Sequence, residues 1–137
     1  MNIAIRYLSK TGNTKKLAEA VSEAVGVPAE VIDVPLEGDI DILFLGSAVY
    51  AFELDPALKA FLDSLGGNVK RIVNFSTAVM VSGTYSRVKK CLDGKDIVLD
   101  EREFHCKGSF KRFAKNRPND DDLKAAKAFA AGIVGEQ

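Results

Sequence analysis

Ile3-Ala4-Ile5-Arg6-Tyr7-Leu8, followed by Ser9-Lys10-Thr11-Gly12-Asn13-Thr14, decides the fold. The first six residues form a short, nearly continuous apolar run, the pattern of a strand buried on both faces. From Thr14 to Val25 the period changes: Leu17, Ala18, Val21, Ala24 and Val25 share one helical face, and Gly26 stands where a helix-ending glycine belongs. Between strand and helix lie three hydroxyls, an asparagine and a glycine. Plain helix capping needs one such residue. Unpaired backbone N–H groups and the helix dipole make a strand-to-helix turn of this composition an anion site, here suited to a phosphate.

Outward from that unit the alternation repeats. Residues 29–34 read as a second strand and 41–46 as a third. Asp55 caps a second helix with Pro56 at its first position, its apolar face carrying Leu58, Phe61, Leu62 and Leu65, and Gly66-Gly67 stops it. Residues 71–76 read as a fourth strand, 86–92 as a short helix, and 97–106 as a long fifth strand. Residues 107–119 form a basic loop. A last helix opens at Pro118-Asn119-Asp120, with Leu123, Ala126, Phe129, Ala130 and Ile133 inward. Strands alternating with helices predict an α/β, doubly wound parallel sheet covered on both faces. The 35–40 link is too short for a helix, a break in the simple repeat.

With 137 residues and no repeat, low-complexity stretch or linker, the chain is expected to form a single domain over 1–137. Its 47% hydrophobic and 28% charged residues exclude a disordered or collagen-like chain. No apolar run approaches the ~18 residues of a membrane span, and the first residues lack a signal-peptide pattern, so the expected compartment is the cytoplasm. Two cysteines and one histidine make neither a disulfide framework nor a zinc motif, and no metal site is expected. Net charge is zero, but residues 1–69 carry 5 basic and 10 acidic side chains and residues 70–137 carry 14 and 9.

Ligands of such sheets bind outside the carboxyl ends of the strands, where strand order reverses. Tyr7 stands where a Walker A motif needs its first glycine, and there is no Gly-x-Gly-x-x-Gly for a dinucleotide. Nor does any strand end in the acid of a phosphoacceptor.

Ser9-Lys10-Thr11-Gly12-Asn13-Thr14 resembles the phosphate-binding loop of flavodoxins. Gly46-Ser47-Ala48-Val49-Tyr50 with the Leu58–Leu62 segment resembles the family's second flavin loop and following helix. Phe75-Ser76-Thr77-Ala78 resembles the third loop. Phe104-His105-Cys106-Lys107-Gly108 and Arg117-Pro118-Asn119-Asp120-Asp121-Asp122-Leu123 resemble the last strand and helix. The resemblance spans essentially the whole chain. It implies a flavodoxin-like five-stranded parallel sheet in the order 2-1-3-4-5 and an FMN site. Ser9, Lys10, Thr11, Gly12, Asn13 and Thr14 would hold the phosphate. Ser47, Ala48, Val49 and Tyr50, with Ser76, Thr77 and Ala78, would flank the ring. Tyr50 is the first stacking candidate and Tyr85 the second. Residues 47–53 contain no glycine, so the peptide flip that flavodoxins use beside the flavin carries an added cost of about 1 kcal/mol or more.

Other chemistry-bearing residues have structural readings. His105 and Cys106 are neighbours on a strand and point to opposite faces, so they do not pair; Cys106 and Cys91 read as small buried hydrophobes. Asp55 reads as a helix cap rather than a partner of Glu53. Asp120, Asp121 and Asp122 suit a helix start. The basic 107–117 segment, with Phe110 and Phe113, is weak grounds for nucleic-acid binding, and none is expected.

Three functions follow. The first is an FMN electron carrier, monomeric and not membrane-bound, passing electrons between a reductase and an acceptor protein, with no catalytic side chain of its own. The second is an FMN-dependent NAD(P)H:quinone-type reductase. The third is a flavodoxin-like module that binds no flavin and acts through protein partners.

Overall fold

The structure is a computed structural model that describes residues 1–50, 53–78, 84–107 and 116–135; among these, the side chains of 48–50, 78 and 107 are left aside. Seven strands and four helices follow in the order β1 (Ile3–Tyr7), α1 (Asn13–Val25), β2 (Ala29–Val31), β3 (Ile42–Tyr50), β4 (Glu53–Leu54), α2 (Pro56–Ser64), β5 (Arg71–Ala78), α3 (Tyr85–Cys91), β6 (Val98–Leu99), β7 (Phe104–Lys107) and α4 (Asp120–Gly135). The sheet runs β2-β1-β3-β5-β6, with β7 also on β5 and β4 turned back on β3. All pairs are parallel except β3 with β4. Counting β6 and β7 as one interrupted strand, this is the expected order 2-1-3-4-5.

Alternation along the central strands divides the core in two. Ile5, Phe44, Val73 and Phe75 pack under α1 and α4 against Leu17, Val21, Ala126, Ala130 and Ile133. Leu43, Leu45 and Ile72 face the other way, toward Leu58 and Leu62 of α2 and Val88 of α3. Each such Val, Leu, Ile or Phe side chain, fully buried, stabilises the fold by about 1.5–3 kcal/mol. Right-handed crossovers account for the faces: α1 carries the chain one way across the sheet, and the later connections carry it the other way.

The connection from β2 to β3 passes over β1 without a helix, as its length requires. Arg6 makes that possible. Its side chain is on the α2 face of β1, 8% exposed, and donates to the carbonyls of Val34 and Pro35, each at 2.9 Å, and of Ile5. The guanidinium thus supplies donors to the Val34 and Pro35 carbonyls, which lie outside strands and helices. Burial lowers its pKa, and Glu30 acts in the opposite direction.

Four strands differ by more than one residue from those read in the sequence. The second strand, expected over 29–34, ends at Val31, where the chain turns and the Val34 amide donates to the Val31 carbonyl. The third and fourth strands run on to Tyr50 and Ala78. The fifth, expected to be continuous over 97–106, is broken between Leu99 and Phe104. Asp100 causes the break: its carboxylate accepts from the backbone and guanidinium of Arg102, an arrangement a side chain offers the backbone in place of the ladder.

Gly46 sits at the closest approach in the sheet. A Cβ there would lie 2.6 Å from Cε2 and Cζ of Phe75 and 2.9 Å from Cβ of Tyr7. Both rows belong to the buried core, so the ring has little room to yield. Gly46→Ala is expected to lower stability by about 1–3 kcal/mol in urea denaturation, the cost of overpacking; a variant as stable as the wild type would show that Phe75 repacks freely.

Candidate functional site

The carboxyl ends of β1, β3 and β5 meet the N-terminus of α1. Gly12 is the N-cap, with φ +89°, and no side chain caps the helix. Nothing lies within 4 Å of where its Cβ would be, so the glycine is needed for its left-handed backbone rather than for space. Ser9 Oγ accepts from the Gly12 amide at 3.0 Å and closes the turn. Lys10 and Thr11 are exposed, Ser9 is half-buried, and Asn13 and Thr14 are buried. The hydroxyl of Thr14 lies 3.1 Å from that of Thr77 and donates at 3.5 Å to the carbonyl of Ser47. One residue therefore joins the β1–α1 turn to the ends of both β3 and β5.

Lys10 points elsewhere. Its Nζ is 2.8 Å from Oδ2 of Asp55, the N-cap of α2. Asp55 also accepts from the Ala57 amide, as the cap reading expected. Hydrogen bonding from Lys10 first, and from that amide second, holds the Asp55 carboxyl below its usual range. The pair ties the β1–α1 turn to the start of α2 and partners the lysine with a carboxylate.

On the α2 and α3 face a second polar group is fully buried. Ser47 Oγ is 2.6 Å from Oγ1 of Thr84, the residue before α3, and donates to Oδ1 of Asn74 at 3.2 Å. Asn74 Nδ2 donates to Thr84 Oγ1 at 2.8 Å and to Oε2 of Glu103 at 3.1 Å. Ser76 Oγ lies 3.3 Å from His105 Nδ1, while Cys106 faces the opposite core, so the expected separation of His105 and Cys106 stands. Burial pushes the Cys106 thiol up to about 12, which leaves it protonated and unreactive.

Thr14, Ser47 and Thr77 are thus brought together, while Ser76 is taken up by His105 and Lys10 by Asp55. Ser47 pairs in register with Ser76, and Ala48 with Thr77. Tyr85 opens α3 rather than lying in a loop, and is half-buried. Burial, then Glu101, Glu103 and Asp100, raises its phenol pKa. The stacking expected of Tyr50 lies outside the described residues, as do the side chains of Val49, Ala48 and Ala78 and most of the basic 107–117 segment. Asp122 does more than favour the helix dipole. Its carboxylate takes the Arg117 guanidinium and the Asn119 amide, and Asn119 Oδ1 accepts from its own amide. No cluster of metal-ligating side chains occurs among the described residues.

Sequence reasoning passed over Asn74, Thr84 and Glu103. Asn74 carried a signal, a lone amide between Val73 and Phe75 in an apolar strand. Its partners carried none, because they are fixed by the register of β3 and β7 against β5.

The sequence profile of the Flavodoxin domain matches residues 4–113, from the first strand past the last. The chain belongs to the flavodoxin-domain family. This flavodoxin-domain protein is 31% identical to an uncharacterized protein of Methanocaldococcus jannaschii, over 89% of this chain and 90% of the other. Among solved structures it is similar to a flavodoxin from the domain Archaea, with a TM-score of 0.77 and 20% identity over 99% of this chain and 98% of that one. It is similar to oxidised Flavodoxin 1 from Bacillus cereus at 0.74, with 16% identity over 100% and 99%. Rubredoxin oxygen:oxidoreductase from Desulfovibrio gigas scores 0.77 at 16% identity; the match covers 98% of this chain and only 35% of that one. At these identities the solved structures establish the flavodoxin-like fold. No helix among the described residues is long and apolar enough to cross a membrane.

His105 is the single histidine of this flavodoxin-domain protein. Burial lowers its pKa, and the Glu103 charge opposes that shift. The folded protein then binds this proton less readily than the unfolded chain. Its contribution to stability is full above an unfolded-state pKa of about 6.5 and is lost as pH falls through the lower folded-state value. Urea denaturation between pH 7.5 and 5.5 is expected to show stability falling with pH, and His105→Gln is expected to remove most of that slope. An unchanged slope would assign it to another group.

Proposed function

We propose that this protein binds FMN at the carboxyl edge of its sheet and acts as an electron carrier between redox proteins. The observation that carries the reading is the β1–α1 turn: a glycine N-cap with no capping side chain, set among hydroxyls at a helix N-terminus. Such a turn suits a phosphate, through backbone N–H groups, helix dipole and neutral donors together. Family membership supports the same cofactor.

The residues present fit it. Gly12 leaves open space where any other residue would put a Cβ. Thr11 and Ser9 reach the surface of the turn, and Thr14 lies under it against Thr77. Ser9, Thr11, Gly12, Asn13 and Thr14 would hold the phosphate, while Lys10, paired with Asp55, neutralises that carboxylate beside it. The ends of β3 and β5, with Tyr50 and Tyr85, would flank the ring. Bound FMN supplies one- and two-electron chemistry; the protein supplies position and electrostatics. No side chain is needed as acid, base or nucleophile, in keeping with the unreactive Cys106 thiol.

The carrier works as a monomer with a reductase and an acceptor protein as partners, in the cytoplasm. The even balance of charge, with the excess of basic side chains after residue 70, favours partners with a mixed or acidic docking face.

Titration with FMN, followed by flavin fluorescence, tests the reading. Strong quenching at micromolar protein is expected, and its absence refutes a flavin function. Thr11→Val is expected to weaken FMN by roughly 0.5–1.5 kcal/mol, the worth of one hydrogen bond, or more because the acceptor is charged, and to leave riboflavin unchanged. Equal losses for both flavins would move the phosphate away from this turn. Steady NAD(P)H oxidation with a quinone would favour a reductase over a carrier.

A further inference from the structure

Ser47, Asn74 and Thr84 are each completely buried, and counting their protons fixes the direction of every bond among them. Asn74 has two N–H donors, one directed to Glu103 Oε2 and the other to Thr84 Oγ1. Ser47 has one proton and gives it to Asn74 Oδ1. The 2.6 Å contact between Ser47 and Thr84 must then use the Thr84 proton. The result is a closed triangle: Thr84 donates to Ser47, Ser47 to Asn74, and Asn74 to Thr84. Each hydroxyl donates once and accepts within the ring, an arrangement in which the bonds strengthen one another. Glu103 sets the sense of the ring from outside, because its carboxylate accepts only from the NH2 side of the Asn74 amide.

The triangle sits where the two ring-flanking segments leave the sheet. Ser47 is the β3 residue before Ala48, Val49 and Tyr50. Asn74 is in β5, two residues before Ser76. Thr84 is the N-cap of α3, at the far end of the connection that leaves β5 after Ala78. Within the described residues this side-chain linkage joins β3, β5 and the start of α3 at one point. Ser47 Oγ, a candidate contact to the cofactor, has its proton committed to the triangle.

We propose that Ser47, Asn74 and Thr84 are positioning residues for the flavin ring, with Glu103 orienting the Asn74 amide, and that Ser47 acts through this triangle rather than by a bond of its own to the cofactor. The proposal rests on the FMN reading above. Opening the triangle leaves buried donors and acceptors unpaired and lets the two segments shift relative to each other. The phosphate turn is held by Gly12, Ser9 and the Thr14–Thr77 contact and meets the triangle through the 3.5 Å bond from Thr14 to the backbone carbonyl of Ser47, not through a side chain of the triangle, so a defect in the triangle falls first on the ring.

The test compares wild type, Thr84→Val, Thr84→Ser and Glu103→Ala, each titrated with FMN and with riboflavin, with far-UV circular dichroism for the fold and visible circular dichroism for the environment of the bound ring. Thr84→Val is expected to lose about tenfold in affinity for both flavins alike, equivalent to about 1.4 kcal/mol, and to change the visible dichroism. Thr84→Ser, which keeps the hydroxyl, is expected to restore both. Glu103 is half-exposed, so Glu103→Ala tests the triangle even if Thr84→Val fails to fold, and it is expected to shift the visible dichroism in the same sense. Folded variants that bind both flavins as wild type does, with unchanged dichroism, would overturn the proposal and leave the FMN reading intact. So would a loss confined to FMN, which would place the effect at the phosphate. Wild-type protein that binds neither flavin would overturn the FMN reading and the proposal with it.

Discussion

The contact between β3 and its two neighbours is what the rest of this structure depends on. β3 lies between β1 and β5, and from Ile42 to Ser47 it is buried on both faces. Its one residue without a side chain, Gly46, is opposite Tyr7 on one side and Phe75 on the other. The space a Cβ would take is filled by the Phe75 ring. Interiors are packed to near-crystalline density, so a mismatch there has no empty volume to relax into. With these three strands in register, β1 ends opposite Gly46 while β3 and β5 run on past it side by side, and polar side chains gather at that edge.

That edge solves a problem the apolar sheet creates. Where strands end and chains turn away, polar groups are buried without ladder partners, and each unpaired one costs ~1–3 kcal/mol. Here they are paired with one another: Thr14 with Thr77, Ser76 with His105, and Ser47, Asn74 and Thr84 in a ring anchored on Glu103. No buried side-chain polar atom among the described residues lacks a partner. The opposite solution appears between β2 and β3, where Arg6 donates to backbone carbonyls that a helix would have satisfied internally.

Much of this was legible in the sequence because it is local. The apolar run before Ser9, the helical period after Thr14, the Asp55-Pro56 start and the Gly26 stop each act within a few residues, and the elements formed where those signals lay. The glycine and hydroxyls of the β1–α1 turn were legible for the same reason. Errors fell where a side chain far along the chain, or one hydrogen bond, decides. The β6–β7 break depends on the Asp100 carboxylate taking the Arg102 amide, while the Asp100 amide still bonds Ile72, and an apolar alternation cannot show that preference. The second strand ended early because the chain turns back on itself after Val31, with the Val34 amide on the Val31 carbonyl, and Arg6 then holds the Val34 and Pro35 carbonyls.

The sequence by itself determined the parallel α/β architecture, the order of its elements and the glycine turn between β1 and α1, since periodicity, caps and turn residues are properties of neighbours in the chain. Only the tertiary structure decided which polar side chains meet. Lys10 and Asp55 are separated by 45 positions, Ser47 and Asn74 by 27, and Asn74 and Glu103 by 29. Such pairs exist only once strand register is set, and register is fixed by core packing between elements, which no short window of residues contains.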